Sequence, residues 1–350
     1  MNINAPRLLL VVAILYSLPF AVQAEYSSSQ GLEQLSIITT ESTISISLKP
    51  ENPQPNSKAV ATLDAPSESL NTGEIAWMIN GEVIISGKDK KSITFNTGNV
   101  GEKLELAAII QQPGLPILVA RKTINPSRVT LLKESETYTP PFYKGRSRHS
   151  AHAYIKFAAI AEIPKDDGSL YSTDELVYSW SKNSMALQEQ SGVGKSIMRI
   201  KGPGFKGTDL ITVRVSNAQN TISANMSTVV ESEDPEILIY ERKPLLGIKY
   251  FDAIKNGSTV PGPDVHLIAE PYFVDAESKN SKLLQYKWTI DTKEVQGQEK
   301  SSELLFTADG NIPKKGIRVS VALNHLQNFV QSVNTSIRIK INEVSDNFMF

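Results

Sequence analysis

Three stretches decide the fold: residues 74–81 (EIAWMING), 176–184 (LVYSWSKNS) and 284–292 (LQYKWTIDT). Each contains one tryptophan, with a large residue two positions before it and Asn or Asp three positions after it. Residues two apart on a strand share a face, and Asn and Asp tolerate left-handed turns. Each stretch therefore predicts a strand that buries its tryptophan and then enters a tight hairpin.

The similarity between the three stretches continues along the chain. A short apolar segment follows each tryptophan, at residues 92–95, 196–200 and 302–306, and an alternating segment comes next, at 104–106, 211–215 and 317–321. Alternation with regular turn signals is typical of antiparallel sandwiches, and no sustained helical periodicity is present. The repeat predicts three domains, at residues 41–126, 127–231 and 235–341.

One tryptophan for each all-β unit of about 100 residues is how immunoglobulin-like sandwiches fill their centre. The chain has no cysteine, so it resembles the disulfide-free bacterial Ig-like and PKD-like modules. The resemblance implies an all-β chain of three tandem immunoglobulin-like antiparallel sandwiches. The predicted core anchors are Trp77, Trp180, Trp288, Tyr178 and Tyr286.

The N-terminus predicts export. Arg7 precedes an almost unbroken apolar run over residues 8–22, and small residues at Val22 and Ala24 fit a cleavage site before Glu25. The apolar core of about 15 residues is shorter than the ~20 that span a bilayer, so residues 1–24 are interpreted as a signal peptide. The alternative is an uncleaved anchor. Residues 25–40 form a polar lead, and no membrane span is expected in the mature chain.

Composition excludes several functional classes. The chain has 350 residues, a formal net charge of −1 and 40% hydrophobic residues, which fits globular domains and excludes nucleic-acid binding driven by a basic surface. Without cysteine, thiolate zinc sites and cysteine nucleophiles are excluded.

Few residues suggest chemistry. The segment 192–196 (GVGKS) ends like a phosphate-binding loop but lacks its first glycine, because Glu189 occupies that position. There are four histidines, His149, His152, His266 and His325, and the pair His149 and His152 is interpreted as ordinary surface or edge-strand residues rather than a metal site. No nucleophile–base–acid set can be assembled. We therefore expect no catalytic residue, no cofactor and no metal.

Two features near the predicted domain junctions remain open. Four acidic residues, Glu231, Glu233, Asp234 and Glu236, favour a solvated hinge over a calcium clamp, since no calcium loop motif is present. Aromatic residues beside prolines favour interdomain packing, with partner binding as the alternative. The residues are Tyr138, Phe142, Tyr143, Tyr250 and Phe251.

Segments 137–145, 201–204 and 240–247 carry a further resemblance, to an uncharacterised exported family of tandem Ig-like and PKD-like proteins from candidate-phylum bacteria (Patescibacteria). The resemblance implies a bacterial cell surface and no catalytic residue.

The sequence predicts a non-catalytic, exported protein of the cell surface or envelope. Its tandem sandwiches, joined by connections poor in Gly and Ser, are expected to form a semi-rigid array. The array would act as a spacer, an adhesin or an assembly component that contacts a protein or envelope component. The alternatives are an accessory or inactive relative of an exported enzyme, and a subunit of a pilus or secretion apparatus.

Overall fold

The computed structural model describes residues 44–295, 301–308 and 315–342. The predicted signal peptide at 1–24 and the polar lead at 25–40 lie outside the described residues, and so do the first three residues of the first predicted domain. The fold is nearly all-β, with 54% strand and 4% helix. Its antiparallel sheets form three tandem immunoglobulin-like sandwiches without disulfides.

The first sandwich pairs the sheet β1-β2-β5 with the sheet β4-β3-β6-β7. Its strands are β1 (Ser45–Lys49), β2 (Lys58–Asp64), β3 (Glu74–Ile79), β4 (Glu82–Gly87), β5 (Ser92–Asn96), β6 (Leu104–Gln111) and β7 (Leu118–Ile124). A helix α1 (Ser67–Thr72) connects β2 to β3. Alternating side chains from both sheets form one core around Trp77.

The second sandwich repeats this arrangement with the sheets β8-β9-β13 and β11-β10-β14-β15, and β12 also pairs with β10. Its strands are β8 (Arg128–Ser135), β9 (Tyr154–Glu162), β10 (Val177–Lys182), β11 (Met185–Ala186), β12 (Gly192–Val193), β13 (Ile197–Lys201), β14 (Thr208–Ser216) and β15 (Ser223–Glu231). Two 3₁₀ turns occur at Thr173–Glu175 and Gln188–Gln190. Phe157 of one sheet contacts Trp180 of the other, with ring centroids 6.4 Å apart.

The third sandwich pairs β17-β16-β19-β22 with β18-β24-β23-β20-β21. Its strands are β16 (Glu236–Lys243), β17 (Gly247–Ile248), β18 (Thr259–Pro261), β19 (Asp264–Tyr272), β20 (Leu284–Ile290), β21 (Lys293–Glu294), β22 (Glu303–Thr307), β23 (Ile317–His325) and β24 (Ser332–Asn342). β18 is parallel to β24. The core surrounds Trp288 and Tyr286.

The described residues form two compact units. The first contains the described residues up to Val129, with Ala161–Leu176 and Val215–Asn225. The second contains Thr130–Ile160, Val177–Arg214 and the described residues from Met226 onward. The segment between β8 and β9 and the whole third sandwich therefore belong to one unit. Within the described residues, no helix is both long and apolar enough to cross a bilayer.

Candidate interaction surface

The five predicted core anchors, Trp77, Trp180, Trp288, Tyr178 and Tyr286, are all fully buried. Each tryptophan also donates its indole N–H to a backbone carbonyl: Trp77 to Lys90 at 2.7 Å, Trp180 to Lys195 at 2.9 Å and Trp288 to Ser301 at 3.0 Å. Buried indoles need such a partner. These side chains are structural.

The five aromatic residues predicted near the domain junctions do not lie in linkers between sandwiches. Tyr138, Phe142 and Tyr143 belong to the connecting segment (residues 137–150), which joins β8 to β9, and Tyr250 and Phe251 follow β17. The connecting segment lies against the end of β19: Tyr138 N–H donates to Val274 O at 2.8 Å, and Phe273 N–H donates to Tyr138 O at 2.7 Å. The structure thus brings the two aromatic stretches together in the second unit.

A buried carboxylate anchors this contact. Glu270 of β19 has no solvent exposure. It accepts hydrogen bonds from Tyr138 Oη at 2.6 Å, Tyr250 Oη at 3.2 Å and Lys279 Nζ at 2.8 Å. A buried charge is stable only with such partners. Burial, assisted by the hydrogen bond to Glu270, raises the pKa of Tyr138. Burial and the Glu270 charge raise the pKa of Tyr250 to about 12.

Aromatic rings in tilted and edge-on contact extend from this carboxylate toward the surface. Tyr250 contacts Tyr240 and Phe142, with centroids 5.5 and 5.9 Å apart. Tyr143 contacts Tyr272 and Phe273 edge-on at 5.7 and 5.6 Å. Edge-on contact is one of the geometries that aromatic pairs favour, so the cluster is a packed support for the side chains outside it.

Four apolar side chains stand outside this support and are mostly in solvent. Phe142 is 84% exposed, Leu245 97%, Leu246 77% and Phe251 86%. We call these four residues the leucine–aromatic surface. Leu245 and Leu246 form the turn between β16 and β17, where the pairs Arg242–Ile248 and Lys243–Gly247 close the hairpin. Gly247 adopts φ of 72°, a conformation that favours glycine.

The sequence identified Phe142 and Phe251 as possible contacts but missed the two leucines, although a Leu-Leu pair between Pro244 and Gly247 is an available signal for an exposed hairpin tip. It also missed Glu270 and Lys279. Glu270 lies on a strand and Lys279 in a loop, and the sequence around each contains no pattern that identifies its partner.

The acidic residues of the second junction are engaged by an arginine. Arg148 forms ion pairs with Glu233 at 2.9 Å and Glu236 at 2.7 Å, and its guanidinium lies 4.3 Å from the centroid of Phe273. These groups raise the pKa of Arg148, chiefly through the hydrogen bond to Glu233. Among the residues that the structure describes, no cluster of three His, Asp or Glu side chains could hold a metal ion.

The interpretation of His149 as an ordinary surface or edge-strand residue is wrong, because it is buried and lies in none of the strands. His149 and His325 are buried. Burial lowers the pKa of His149, and neither of its ring nitrogens has a hydrogen-bond partner within the described chain. His325 accepts the Asn328 N–H at 2.9 Å and contacts Asp275 O at 2.8 Å. The sequence could not show this burial, because the residues that cover these rings come from other parts of the chain.

The GVGKS segment is a loop between strands. Its first two residues form the short strand β12, β13 follows it, and its Lys195 carbonyl accepts the Trp180 indole N–H. A phosphate-binding loop instead continues into a helix whose N-terminus faces the phosphate. The interpretation of this segment as an inter-strand loop is confirmed.

Comparison with known proteins does not assign the chain to a family. No protein-family model matches the chain, and no curated protein matches it. The solved structures with similar folds include the three N-terminal domains of the bacteriophage RB49 highly immunogenic outer capsid protein. That match has 11% identity and a TM-score of 0.26, and it covers 86% of this chain and 99% of that one.

Two other similar structures are tandem arrays. Sidekick-1 immunoglobulin domains 1–5 show 12% identity and a TM-score of 0.30, over 83% of this chain and 57% of that one. The central fibronectin-III array of RIM-binding protein shows 11% identity and a TM-score of 0.26, over 80% and 90%. With TM-scores of this size, nothing about the function of these proteins transfers to this chain.

Proposed function

We propose that this protein is an exported, non-catalytic component of a bacterial cell surface or envelope, in which a tandem array of sandwiches serves as spacer, adhesin or assembly component. The leucine–aromatic surface is its recognition site. The observation that carries the proposal is the exposure of Phe142, Leu245, Leu246 and Phe251 beside a packed aromatic cluster. Exposed apolar groups of this kind mark interaction sites.

The polar groups near this surface support a binding role rather than catalysis. Glu270 is held by three donors, and Arg148 by two carboxylates. A general acid or base needs a free position facing a substrate. The hydrogen bonds of Glu270 and Arg148 instead hold the connecting segment against the third sandwich.

The export part of the proposal is supported by the residues of the N-terminus, with Arg7 before an apolar run and a small residue at Ala24. The resemblance to exported tandem Ig-like proteins points in the same direction.

The proposal is tested by fractionating the producing cells and measuring the intact mass of the protein. We expect a chain that begins at Glu25, found in the envelope or outside the cell. A Leu245→Ser/Leu246→Ser variant should have the same N-terminus and be released from the envelope fraction. A chain that keeps Met1 and stays in the cytoplasm would contradict export, and retention of Met1 in a membrane fraction would show an uncleaved anchor.

A further inference from the structure

The two segments that form the leucine–aromatic surface carry a net positive charge. Residues 136–152 and 241–264 together contain seven lysines and arginines and four acidic residues, Glu136, Glu241, Asp252 and Asp264, an excess of three positive charges. The basic residues are Lys144, Arg146, Arg148, Arg242, Lys243, Lys249 and Lys255. Because the whole chain has a net charge of −1, this is a local concentration of positive charge.

Part of this charge is not neutralised by the protein. Arg148, Arg242 and Lys249 have carboxylate partners. Lys144, Arg146 and Lys243 differ from them, because within the described residues none of the three forms an ion pair. Lys144 and Arg146 follow Phe142 closely in the chain, and Lys243 precedes the two leucines. Cations without an ion pair therefore lie beside Phe142 and beside the two leucines in the chain.

The shape of the surface favours a deformable partner over a partner with fixed pockets. Leu245 and Leu246 project from a hairpin turn, and Phe142 and Phe251 from two other turns. Leu246 precedes Phe251 by five residues, at most about 17 Å of extended chain, so these tips are near each other but separate. A protein partner would need a matching pocket for each tip, because protein interfaces are closely packed. The interface of a bilayer accepts protruding apolar side chains without such a match.

We infer that the leucine–aromatic surface docks on an anionic lipid bilayer, with its apolar tips among the acyl chains and its free cations at the headgroups. This inference rests on the proposed function, which places the protein at the cell envelope. Binding of this kind increases with buried apolar area and with attraction between basic residues and anionic lipids. Tyr143 and Tyr250, behind the tips, are of a residue type enriched at membrane interfaces.

A second copy of the chain is the competing occupant of this surface. In a symmetric dimer the same basic segments would face each other, and like charges brought together disfavour association. Anionic lipid has the complementary charge. The charge distribution therefore selects lipid over self-association.

The test uses co-sedimentation of the purified mature protein with vesicles of phosphatidylcholine alone or of three parts phosphatidylcholine to one part phosphatidylglycerol. We expect the wild type to bind the anionic vesicles at least tenfold more tightly than the neutral ones. Added salt should weaken this binding, because salt screens charge. Failure to bind anionic vesicles would overturn the inference.

Two sets of variants separate the apolar and charged contributions. Leu245→Ser/Leu246→Ser should weaken binding at least tenfold, since burial of leucine drives insertion. Its control, Leu326→Ser/Phe329→Ser, removes exposed apolar side chains (Phe329 is 84% exposed) from a loop without basic residues, and should bind normally. Lys144→Ala/Arg146→Ala/Lys243→Ala should weaken binding to anionic vesicles roughly fivefold per cation and leave binding to neutral vesicles unchanged.

Insertion is read directly from Phe251→Trp. The three native tryptophans are buried, so a spectral change on vesicle binding reports position 251. We expect a blue shift of the fluorescence and its quenching by lipids brominated in the acyl chain, and neither effect with Phe329→Trp.

Sedimentation velocity without vesicles tests for self-association. If the wild type is a dimer and the leucine variant is not, the inference is overturned in favour of a second copy. If the protein is exported but vesicles do not bind, only the lipid inference fails; if vesicles bind but the protein stays in the cytoplasm, the proposed function fails.

Discussion

The three tryptophans are each tied to the same place in their sandwich. Each indole donates to the carbonyl of the residue two positions before the start of β5, β13 or β22. Besides filling the core, the ring therefore fixes the loop that leads into a strand of the opposite sheet. The spacing of the tryptophans predicted burial, but the indole hydrogen bond has no signal in the sequence, because its acceptor is a backbone group that any residue could provide.

Replacing Trp180 with Phe or with Ala tests these two roles together. Phenylalanine retains a ring, but the smaller side chain leaves a void and the Lys195 carbonyl loses its donor. We expect a loss of about 2–4 kcal/mol in the free energy of unfolding, from the unmade hydrogen bond and the lost volume together, and about 3–5 kcal/mol for Trp180→Ala. Urea unfolding followed by circular dichroism measures both.

The control for this pair is Phe205→Leu, in the same sandwich at a residue that is more than half exposed. It should change stability by less than about 0.5 kcal/mol, the usual range for surface substitutions. An unchanged Trp180→Phe variant would show that the indole hydrogen bond contributes nothing measurable.

Residue-level chemistry was the part of the molecule least accessible from sequence. Tyr138 and Glu270 meet across 132 positions of the chain, and His149 is covered by a segment that includes Gly202, where an added Cβ would collide with the imidazole Nε2. Contacts between such distant residues depend on how strands and loops are stacked. Local patterns identify the residue types but not these pairings.

At the scale of elements, the turn after each tryptophan strand is built in the same way three times. Asn80, Asn183 and Asp291 all adopt left-handed backbone conformations, with φ of 49°, 50° and 53°, which confirms the prediction from their position three residues after each tryptophan. Their side-chain oxygens accept N–H groups of β6, β14 and β23 at 2.9, 2.8 and 3.1 Å. One residue thus turns the chain and joins two neighbouring strands.

Substitution of Asn80 tests this device. Asn80→Gly keeps the left-handed conformation and loses only the hydrogen bond to Glu105 N–H, which should cost about 1 kcal/mol of unfolding free energy. Asn80→Ala loses the same bond and adds backbone strain of about 1–3 kcal/mol, so alanine should be the worse replacement. In an ordinary strand glycine destabilises more than alanine. If denaturant unfolding shows Asn80→Gly to be less stable than Asn80→Ala, the turn assignment is refuted.

The strands themselves were largely predictable, because alternation within each repeat matches the two faces of a sandwich. The predicted segments 92–95, 104–106 and 317–321 lie within β5, β6 and β23. Helix α1 was not found. It has six residues and no side-chain N-cap hydrogen bond, and fewer than two turns cannot establish a helical period.

At the scale of the whole molecule, the repeat predicted three sandwiches but not which segments would associate more closely. The connecting segment leaves the second sandwich and is bound at both ends of its path. Tyr138 pairs with Phe273 and Val274. Directly after the other end of the segment, the Ala151 carbonyl accepts side-chain N–H groups of Asn328 at 2.7 Å and Gln331 at 2.8 Å. Both sets of contacts are internal to the second compact unit, so they couple the folding of this segment to the third sandwich.

This coupling predicts that β13 and β23, one from each sandwich in the second unit, open together. Tyr138→Phe removes a hydrogen bond to the buried Glu270 carboxylate, and bonds to charged groups contribute about 1.5–3 kcal/mol. Hydrogen exchange in low denaturant should show the opening free energies of β13 and β23 falling by the same amount. Tyr143→Phe is the matched control, because its ring contacts are retained and it has no bond to Glu270.

The same coupling should weaken at alkaline pH. The pKa of Tyr138 is raised by burial and by Glu270, and that of Tyr250 is raised to about 12. A tyrosine whose pKa is higher in the folded state than its ordinary value of 10.0 keeps its proton on folding. Its contribution is complete below pH 10 and declines as the pH rises toward 12. Protection of β13 and β23 should decrease together over this window, and less in Tyr138→Phe. Loss of protection in β23 alone would show that the second and third sandwiches open independently, and that the connecting segment rests on the third without linking their stabilities.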